Sequence, residues 1–228
     1  GSSRNGVDFD QPFDSEELTS YELGWKSEML EQRLRVNGAA YYMQNTDIIL
    51  DYLPDPVNTP QFVESFNSGD ADVYGLEVDV QAAITDEFLV GVSYAFLNYD
   101  FSNVDFPDGS DHTDTTELVW APENAYSLTG DYNLPVSVGE VRFHMDYSWQ
   151  DDQYALANTE FGKVEVADYG LLNARVSLAD VVMAGHNWQF SVWGRNLTDE
   201  DSANYQIGST ASTYLAPLMY GGEVIFEF

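Results

Sequence analysis

The stretch that decides the fold is residues 141–150, which read VRFHMDYSWQ. Apolar and polar side chains alternate strictly along it. One set of positions carries Val141, Phe143, Met145, Tyr147 and Trp149, and the other carries Arg142, His144, Asp146, Ser148 and Gln150. Because successive side chains of a β-strand point to opposite faces, this period of two predicts a strand with one apolar and one polar face.

The same alternation recurs in eight further segments, which makes nine predicted strands. They lie around 21–25, 34–42, 74–80, 88–96, 126–132, 172–178, 188–192 and 220–228. With its flanking residues each reaches about ten residues, enough to cross a bilayer at a tilt, whereas strands of soluble proteins usually have about 5–6. Soluble sandwiches and lipocalin-like barrels also alternate, so periodicity alone leaves that alternative open.

The connections between the predicted strands alternate in length. The short gaps, at 27–32, 84–87, 134–139 and 180–186, alternate along the chain with long gaps at 45–72, 100–117, 151–168 and 199–213. Outer-membrane barrels show this pattern, with short periplasmic turns and long extracellular loops. The sequence therefore predicts an all-β fold, an antiparallel transmembrane β-barrel segment of about 9–10 long strands.

The composition excludes several classes of protein. The chain has 39 Asp and Glu against 8 Lys and Arg, a formal charge of -31 that would repel nucleic acid. An aromatic content of 14% argues against disorder, and the absence of cysteine excludes disulfides, Cys-based zinc sites and thiol nucleophiles. The sequence contains no apolar run of the about 18 residues that a transmembrane helix needs, and it opens without a signal peptide.

Basic residues indicate that the polar face is either a water-filled lumen or a surface covered by another polar domain. Six of them fall inside predicted strands, and all six fall on the polar face, where they avoid the ~2–4 kcal/mol that Arg or Lys costs against lipid at mid-bilayer. With two neighbours, the predicted lumen-facing set is Lys26, Arg33, Arg35, Arg142, His144, Asp146, Arg175 and Arg195. The apolar face then contacts outer-membrane lipid. Aromatic side chains near its strand ends suit interfacial girdles, namely Trp25, Trp120, Tyr147, Trp149, Tyr214 and Phe228.

Five stretches resemble the C-terminal barrel strands of TonB-dependent receptors. EELTSYELGWK at 16–26 and QRLRVNGAAYYM at 32–43 resemble two consecutive late strands. VYGLEVDVQ at 73–81 is similar to the family's Gly-hydrophobic-Glu strand, and FSVWGRNLTDE at 190–200 to its penultimate strand. PLMYGGEVIFEF at 217–228 looks like its last strand, which ends on a terminal Phe. Order and spacing agree, and the resemblance covers nearly the whole chain.

The resemblance implies a receptor in the bacterial outer membrane that takes up a scarce nutrient, such as siderophore-bound iron, a vitamin or a glycan. Its energy would come from TonB, reached only through a plug domain. Family barrels have about 22 strands, so residues 1–228 are expected to be the C-terminal part of such a barrel, with the plug absent. The terminal run Val224, Phe226 and Phe228 would be the signal that the outer-membrane assembly machinery recognises.

Two other functions remain open, a small passive outer-membrane pore or structural barrel and a soluble β-rich binding module. Catalysis is not expected, because positions i and i+2 of a strand are about 6.6–6.8 Å apart, too far for His144, Asp146 and Ser148 to form a triad relay. The acidic loop 100–117 has enough oxygen donors for a Ca²⁺ site but misses the EF-hand spacing, so a solvated loop is favoured and the Ca²⁺ site stays open as the alternative. We expect neither enzyme activity nor a cofactor, and the small-molecule ligand cannot be read from the sequence.

An odd number of antiparallel strands cannot close regularly, since strands one and nine would run in the same direction. The chain alone is therefore not expected to form a closed barrel in the receptor. Its open edge would be covered by the preceding strands of a larger barrel. In the isolated chain, the open edge would be covered in one of two ways. A tenth strand could form from residues about 5–13, which include Val7, Phe9 and Phe13, or the edges of two copies could pair.

Overall fold

The computed structural model describes residues 13–52, 64–158, 162–207 and 211–227. Nine long strands carry the fold: β1 Glu17–Met29, β2 Leu34–Thr46, β5 Asp70–Ala83, β6 Phe88–Ser102, β7 Asn124–Val136, β8 Gly139–Gln150, β11 Tyr169–Met183, β12 His186–Arg195 and β15 Met219–Glu227. Six short strands lie between them: β3 Ile49–Tyr52, β4 Glu64–Asn67, β9 Gln153–Asn158, β10 Gly162–Val166, β13 Ala203–Ile207 and β14 Ala211–Tyr214. A 3₁₀ turn spans Thr113–Thr115.

The long strands form one antiparallel sheet in which each strand pairs with its neighbour along the chain, in the order β1-β2-β5-β6-β7-β8-β11-β12-β15. This confirms the predicted all-β fold, its nine strands and their antiparallel order. The four short turns are also confirmed. The turn between β11 and β12, for example, consists of Ala184 and Gly185, both with positive φ, as tight hairpins prefer.

The long loops contain more structure than the sequence predicted. Three of them extend as hairpins, β3–β4, β9–β10 and β13–β14, which pair outside the main sheet. Two of the aromatic residues predicted near the ends of long strands lie outside those strands. Trp120 lies in the loop before β7 with a φ of 57°, and Tyr214 ends β14 rather than a long strand.

The pairing register shears the sheet. One row of paired residues runs through Ala83, Leu89, Asp131, His144 and Arg175. Ala83 is the last residue of β5, whereas Arg175 lies in the middle of β11, which continues to Met183. A row of paired residues that starts at the end of one strand therefore reaches the middle of a strand farther along the sheet. Barrel closure requires such a stagger, because it tilts the strands against the barrel axis.

Burial is inverted relative to a soluble protein. The large apolar side chains of the outer face are exposed, with Leu23 at 72%, Val192 at 63% and Tyr220 at 82%. The buried apolar residues of the described chain are Ala71, Val73, Val104, Phe106, Ala155, Val166 and Ala179. A contiguous exposed apolar surface of this kind marks contact with a partner or a membrane. No helix in the described segments is long and apolar enough to span a membrane.

The sheet ends on two edges. In the described residues, β1 pairs with β2 alone and β15 with β12 alone, so no hydrogen bonds join the first and last strands. This agrees with the expectation that nine strands do not close. The predicted tenth strand falls almost entirely on residues 1–12, outside the described residues.

Candidate lumen wall and extracellular loops

The polar face forms a continuous wall across the sheet. A row of paired residues on this face runs Lys26, Asn37, Asp79, Ser93, Ser127, Ser148 and Leu171. Seven strands from β1 to β11 contribute to one cavity of about 930 Å³, whose lining includes Glu22, Lys26, Glu77, Asp79, Ser148 and Tyr169. Because a single cavity touches so many consecutive strands, the sheet curves around it with the polar face inside.

All eight predicted lumen-facing residues lie on this concave face. Lys26 lines the cavity itself. Each of the other seven lies an even number of positions along the chain either from a cavity-lining residue or from a residue that pairs across strands with one of the seven. His144 pairs with Arg175, for example, and Arg175 pairs with Trp193, which is in phase with Arg195. That this face borders a lumen in the complete protein remains a prediction.

Most of the cations on this wall are paired with acids. Arg33 contacts Asp86 at 2.8 Å, Arg35 contacts Glu28 at 3.1 Å, and Arg175 pairs with Glu223. The Arg195 guanidinium lies 5.6 Å from the centroid of the Trp193 ring. Within the described chain Lys26 makes no ion pair. Because the paired side chains remain partly exposed, each pair contributes little to stability and the wall stays compatible with water.

A β-bulge keeps one acid on the wall. The pairing of β11 with β12 shifts between Leu178 and Val181, where Asp180 has a φ of 56°. Strict alternation would place Asp180 on the apolar face, but the extra residue reverses the phase. Asp180 instead reaches Arg142 at 2.6 Å, and Arg142 also contacts Glu140 at 2.6 Å. Bulges commonly redirect a side chain in this way, and the sequence analysis had assigned this segment to a turn.

His144 lies between two carboxylates. Its Nδ1 is 2.7 Å from Asp131 on β7, and its Nε2 is 3.4 Å from Asp146 on its own strand. The side chains of His144 and Asp146 lean together, closer than their backbone spacing indicates. No hydrogen bond joins Ser148 to His144 in the described structure, so the three residues still lack a nucleophile relay.

Asn196 closes the base of the last loop, a role that the sequence analysis missed. Its side chain is buried, with 4% exposed. The amide donates to the carbonyls of Glu200 at 2.7 Å and Ala216 at 2.9 Å, and its oxygen accepts from the Glu200 N–H at 2.8 Å. Both stems of the loop are thereby held together. The signal was present in the stretch GRNLTDE, where a polar Asn directly follows an apolar strand.

Two neighbouring loops pack into a small apolar cluster, which the sequence analysis also missed. Val104 is fully buried and Phe106 is 8% exposed, and they pack against Leu50, Phe66 and Phe101. The rings of Phe66 and Phe106 meet edge to face with centroids 5.2 Å apart. The loop after β6 and the β3–β4 hairpin thus form one folded unit. Its signal was the pair of apolar residues in an otherwise acidic loop.

The acids of this loop organise its backbone. Asp108 accepts hydrogen bonds from the backbone and hydroxyl of Ser110, and Asp111 accepts one from the Thr113 N–H at 2.9 Å. These bonds stabilise the charged carboxylates and lower the pKa of both Asp108 and Asp111. The described residues contain no group of three potential metal ligands.

The sequence matches a model of the family described as TonB dependent receptor-like, beta-barrel, over residues 1–197. The chain belongs to this family of TonB-dependent receptor barrels. No curated protein sequence matches it significantly.

Solved structures show the same fold for this receptor barrel segment. The ferric yersiniabactin uptake receptor of Yersinia pestis superposes with a TM-score of 0.72 at 15% identity, over 96% of this chain and 31% of that one. The ferric preacinetobactin receptor of Acinetobacter baumannii gives 0.72 at 16%, over 100% and 32%. The ferripyoverdine receptor of the outer membrane of Pseudomonas aeruginosa gives 0.65 at 18%, over 95% and 27%.

The receptor barrel segment thus spans about a third of the length of these receptors. The family and its structural neighbours are receptors rather than enzymes, which confirms the prediction that the chain is not an enzyme. Of the predicted assembly signal, Val224 and Phe226 lie on the apolar face of β15, where they pair with Phe190 and Trp188. Phe228 lies outside the described residues.

Proposed function

We propose that residues 1–228 are the C-terminal part of the barrel of a receptor that takes up a scarce nutrient across the bacterial outer membrane. One observation carries the proposal: the family match over residues 1–197 falls on a sheared sheet that is open at both edges in the described residues. Unpaired strand edges are costly in lipid. Preceding strands of the same barrel would cover the edge of β1.

The two faces support a position in the outer membrane. The apolar face is exposed along its length, as lipid contact requires, and it carries none of the cations of the described long strands. The concave face carries the ion pairs and the cavity, which agrees with the proposal that its residues face the lumen. In the complete receptor this face would border the plug domain, through which TonB supplies energy.

The loops are the first contact for the ligand in this proposal. The folded unit around Val104 and Phe106 and the loop clamped by Asn196 hold rigid surfaces above the wall. The structural neighbours include a siderophore receptor of Acinetobacter baumannii and the receptors for ferric yersiniabactin and ferric preacinetobactin. We therefore place siderophore-bound iron first among the ligand classes, ahead of vitamins and glycans.

Uptake by cells separates this proposal from the alternative, a small passive pore or structural barrel. The complete gene would be expressed in a strain lacking its own siderophore receptors, with and without functional TonB, and radiolabelled iron uptake measured with a panel of siderophores. We expect uptake of at least one chelate, and only with TonB. Uptake that persists without TonB, or ion conductance by the purified receptor in planar bilayers, would favour the pore.

A second experiment tests the assembly signal. The exposed, alternating Val224 and Phe226 on the last strand are suited to recognition by the outer-membrane assembly machinery. Deletion of Phe228 from the complete receptor is expected to lower its outer-membrane level, measured by immunoblot of membrane fractions. A normal level in the truncated receptor would contradict this role.

A further inference from the structure

A line of polar contacts crosses the wall and ends at the base of the last loop. It begins at Asp131 on β7 and passes through His144 and Asp146 on β8, at 2.7 and 3.4 Å. Asn173 on β11 donates from Nδ2 to Asp146 Oδ2 at 2.7 Å. The proposed uptake function assigns no role to these contacts.

Asn173 uses both ends of its amide. While Nδ2 donates to Asp146, Oδ1 accepts the backbone N–H of Asn196 at 2.9 Å. The next residue adds a bond between the same strands, from the Leu197 N–H to the Leu172 carbonyl at 2.8 Å. Asn173 therefore joins a carboxylate on the concave face directly to the residue that clamps both stems of the loop.

The two ends of this connection differ in accessibility. The side chain of Asp146 is 34% exposed on the concave face, whereas Asn196 is 4% exposed. A charge or a partner arriving at the wall can therefore reach Asp146 but not Asn196. Asn196 bonds to Asn173, Glu200 and Ala216 at once, so a shift of its backbone weakens several hydrogen bonds together.

We propose that Asn173 is a positioning residue that couples the wall at Asp146 to the seat of the loop between Asn196 and Leu218. A change at Asp146, such as a new ion pair with whatever occupies the lumen, then alters how firmly this loop is held. The inference rests on the proposed function only in placing the concave face inside and the loop outside. Its readout is the loop, not uptake.

The test swaps the side chains of Asn173 and Asp146 in the complete receptor, reconstituted in lipid vesicles. Asn173→Asp keeps the oxygen that accepts from Asn196 but sets two carboxylates side by side. We expect the amides of Asn196 and Glu200 to exchange with deuterium about tenfold faster, since about 1.4 kcal/mol corresponds to that factor. The double variant Asp146→Asn with Asn173→Asp restores a donor and an acceptor, and should return exchange to within about twofold of the unaltered receptor.

A matched control is Asn37→Asp. Asn37 lies opposite Asp79 on the same face, as Asn173 lies opposite Asp146, but its strand β2 pairs with β1 and β5, neither of which borders this loop. This control should leave exchange at Asn196 and Glu200 unchanged.

Three outcomes would overturn the proposal. Unchanged exchange in Asn173→Asp would show that Asn173 acts only as an acceptor, without coupling to Asp146. Failure of the double variant to restore exchange would make the effect local to position 173, and an equal effect of Asn37→Asp would make it a general effect of charge. If Asn173→Asp fails to insert, Asp146→Ala replaces it. That variant leaves the Asn173 Nδ2 without its partner, and faster loop exchange supports the coupling whereas unchanged exchange rejects it.

Discussion

Apolar side chains serve opposite purposes in two regions of this molecule. In the loop unit they are buried among themselves, with Val104 fully covered and Phe106 at 8%. On the outer face of the long strands they are left uncovered, as at Leu23 and Val192. The loop unit therefore owes its order to a small internal core, as a soluble domain does. The sheet leaves its apolar face exposed, as a face that contacts lipid would be, and its strands are held by backbone pairing.

The largest effect should come from placing a charge on the outer face. Met145 is 53% exposed in the middle of β8. Met145→Arg is expected to destabilise the complete receptor by ~2–4 kcal/mol, because the guanidinium must face lipid. Guanidinium unfolding in vesicles would measure this. Ser148→Arg is the control on the same strand, where the concave face should limit the cost to less than about 1 kcal/mol. Equal costs would contradict the assignment of the two faces.

A smaller and more local effect is expected in the loop unit. Val104→Ala removes two buried methyl groups from the cluster with Phe66 and Phe106. We expect it to lower the local stability of the loop by about 1–2 kcal/mol, measured by hydrogen exchange of residues 103–117, while global unfolding stays unchanged. Val138→Ala, at a turn valine that is 59% exposed, should change stability by less than about 0.5 kcal/mol. A loss of global stability in Val104→Ala would mean that loop and sheet unfold as one unit.

The ion pairs of the wall should contribute still less to the free energy of unfolding. Arg35 and Glu28 are about half exposed, at 53% and 52% of their side chains. A double-mutant cycle with Arg35→Ala and Glu28→Ala is expected to give a coupling energy of ~0.2–1 kcal/mol, because exposed pairs are screened by water and salt. A coupling well above this range would indicate that the complete receptor buries the wall.

The smallest effect concerns pH. Hydrogen bonds lower the pKa of Asp108 and Asp111 in the folded loop. A carboxylate with a lowered pKa stabilises the fold above its ordinary pKa, and this contribution is lost as the pH falls through the folded value. Exchange in residues 103–117, divided by the intrinsic amide exchange rate at each pH, should therefore rise below about pH 4. Asp108→Asn should flatten that rise, and an unaltered profile in this variant would assign the pH dependence to other groups.

The sequence could predict what depends on local pattern. Alternation fixed the faces of β8, and the contrast of short and long gaps fixed where the hairpins turn. The bulge at Asp180 could not be predicted, because it shows only as a shift between paired strands. Likewise the packing of Val104 against Leu50 joins residues far apart in the chain, and no local pattern indicates which loops meet.

The sequence by itself determined the fold class, the nine strands and the polar face that carries the cations. It could do so because a two-faced strand in lipid must alternate along its whole length, which leaves a signal in every segment. Only the tertiary structure decided the shear of the sheet, the contact between His144 and Asp146, and the clamp at Asn196. Each depends on pairing register and on side chains from different strands, and register is a relation between segments that no single segment specifies.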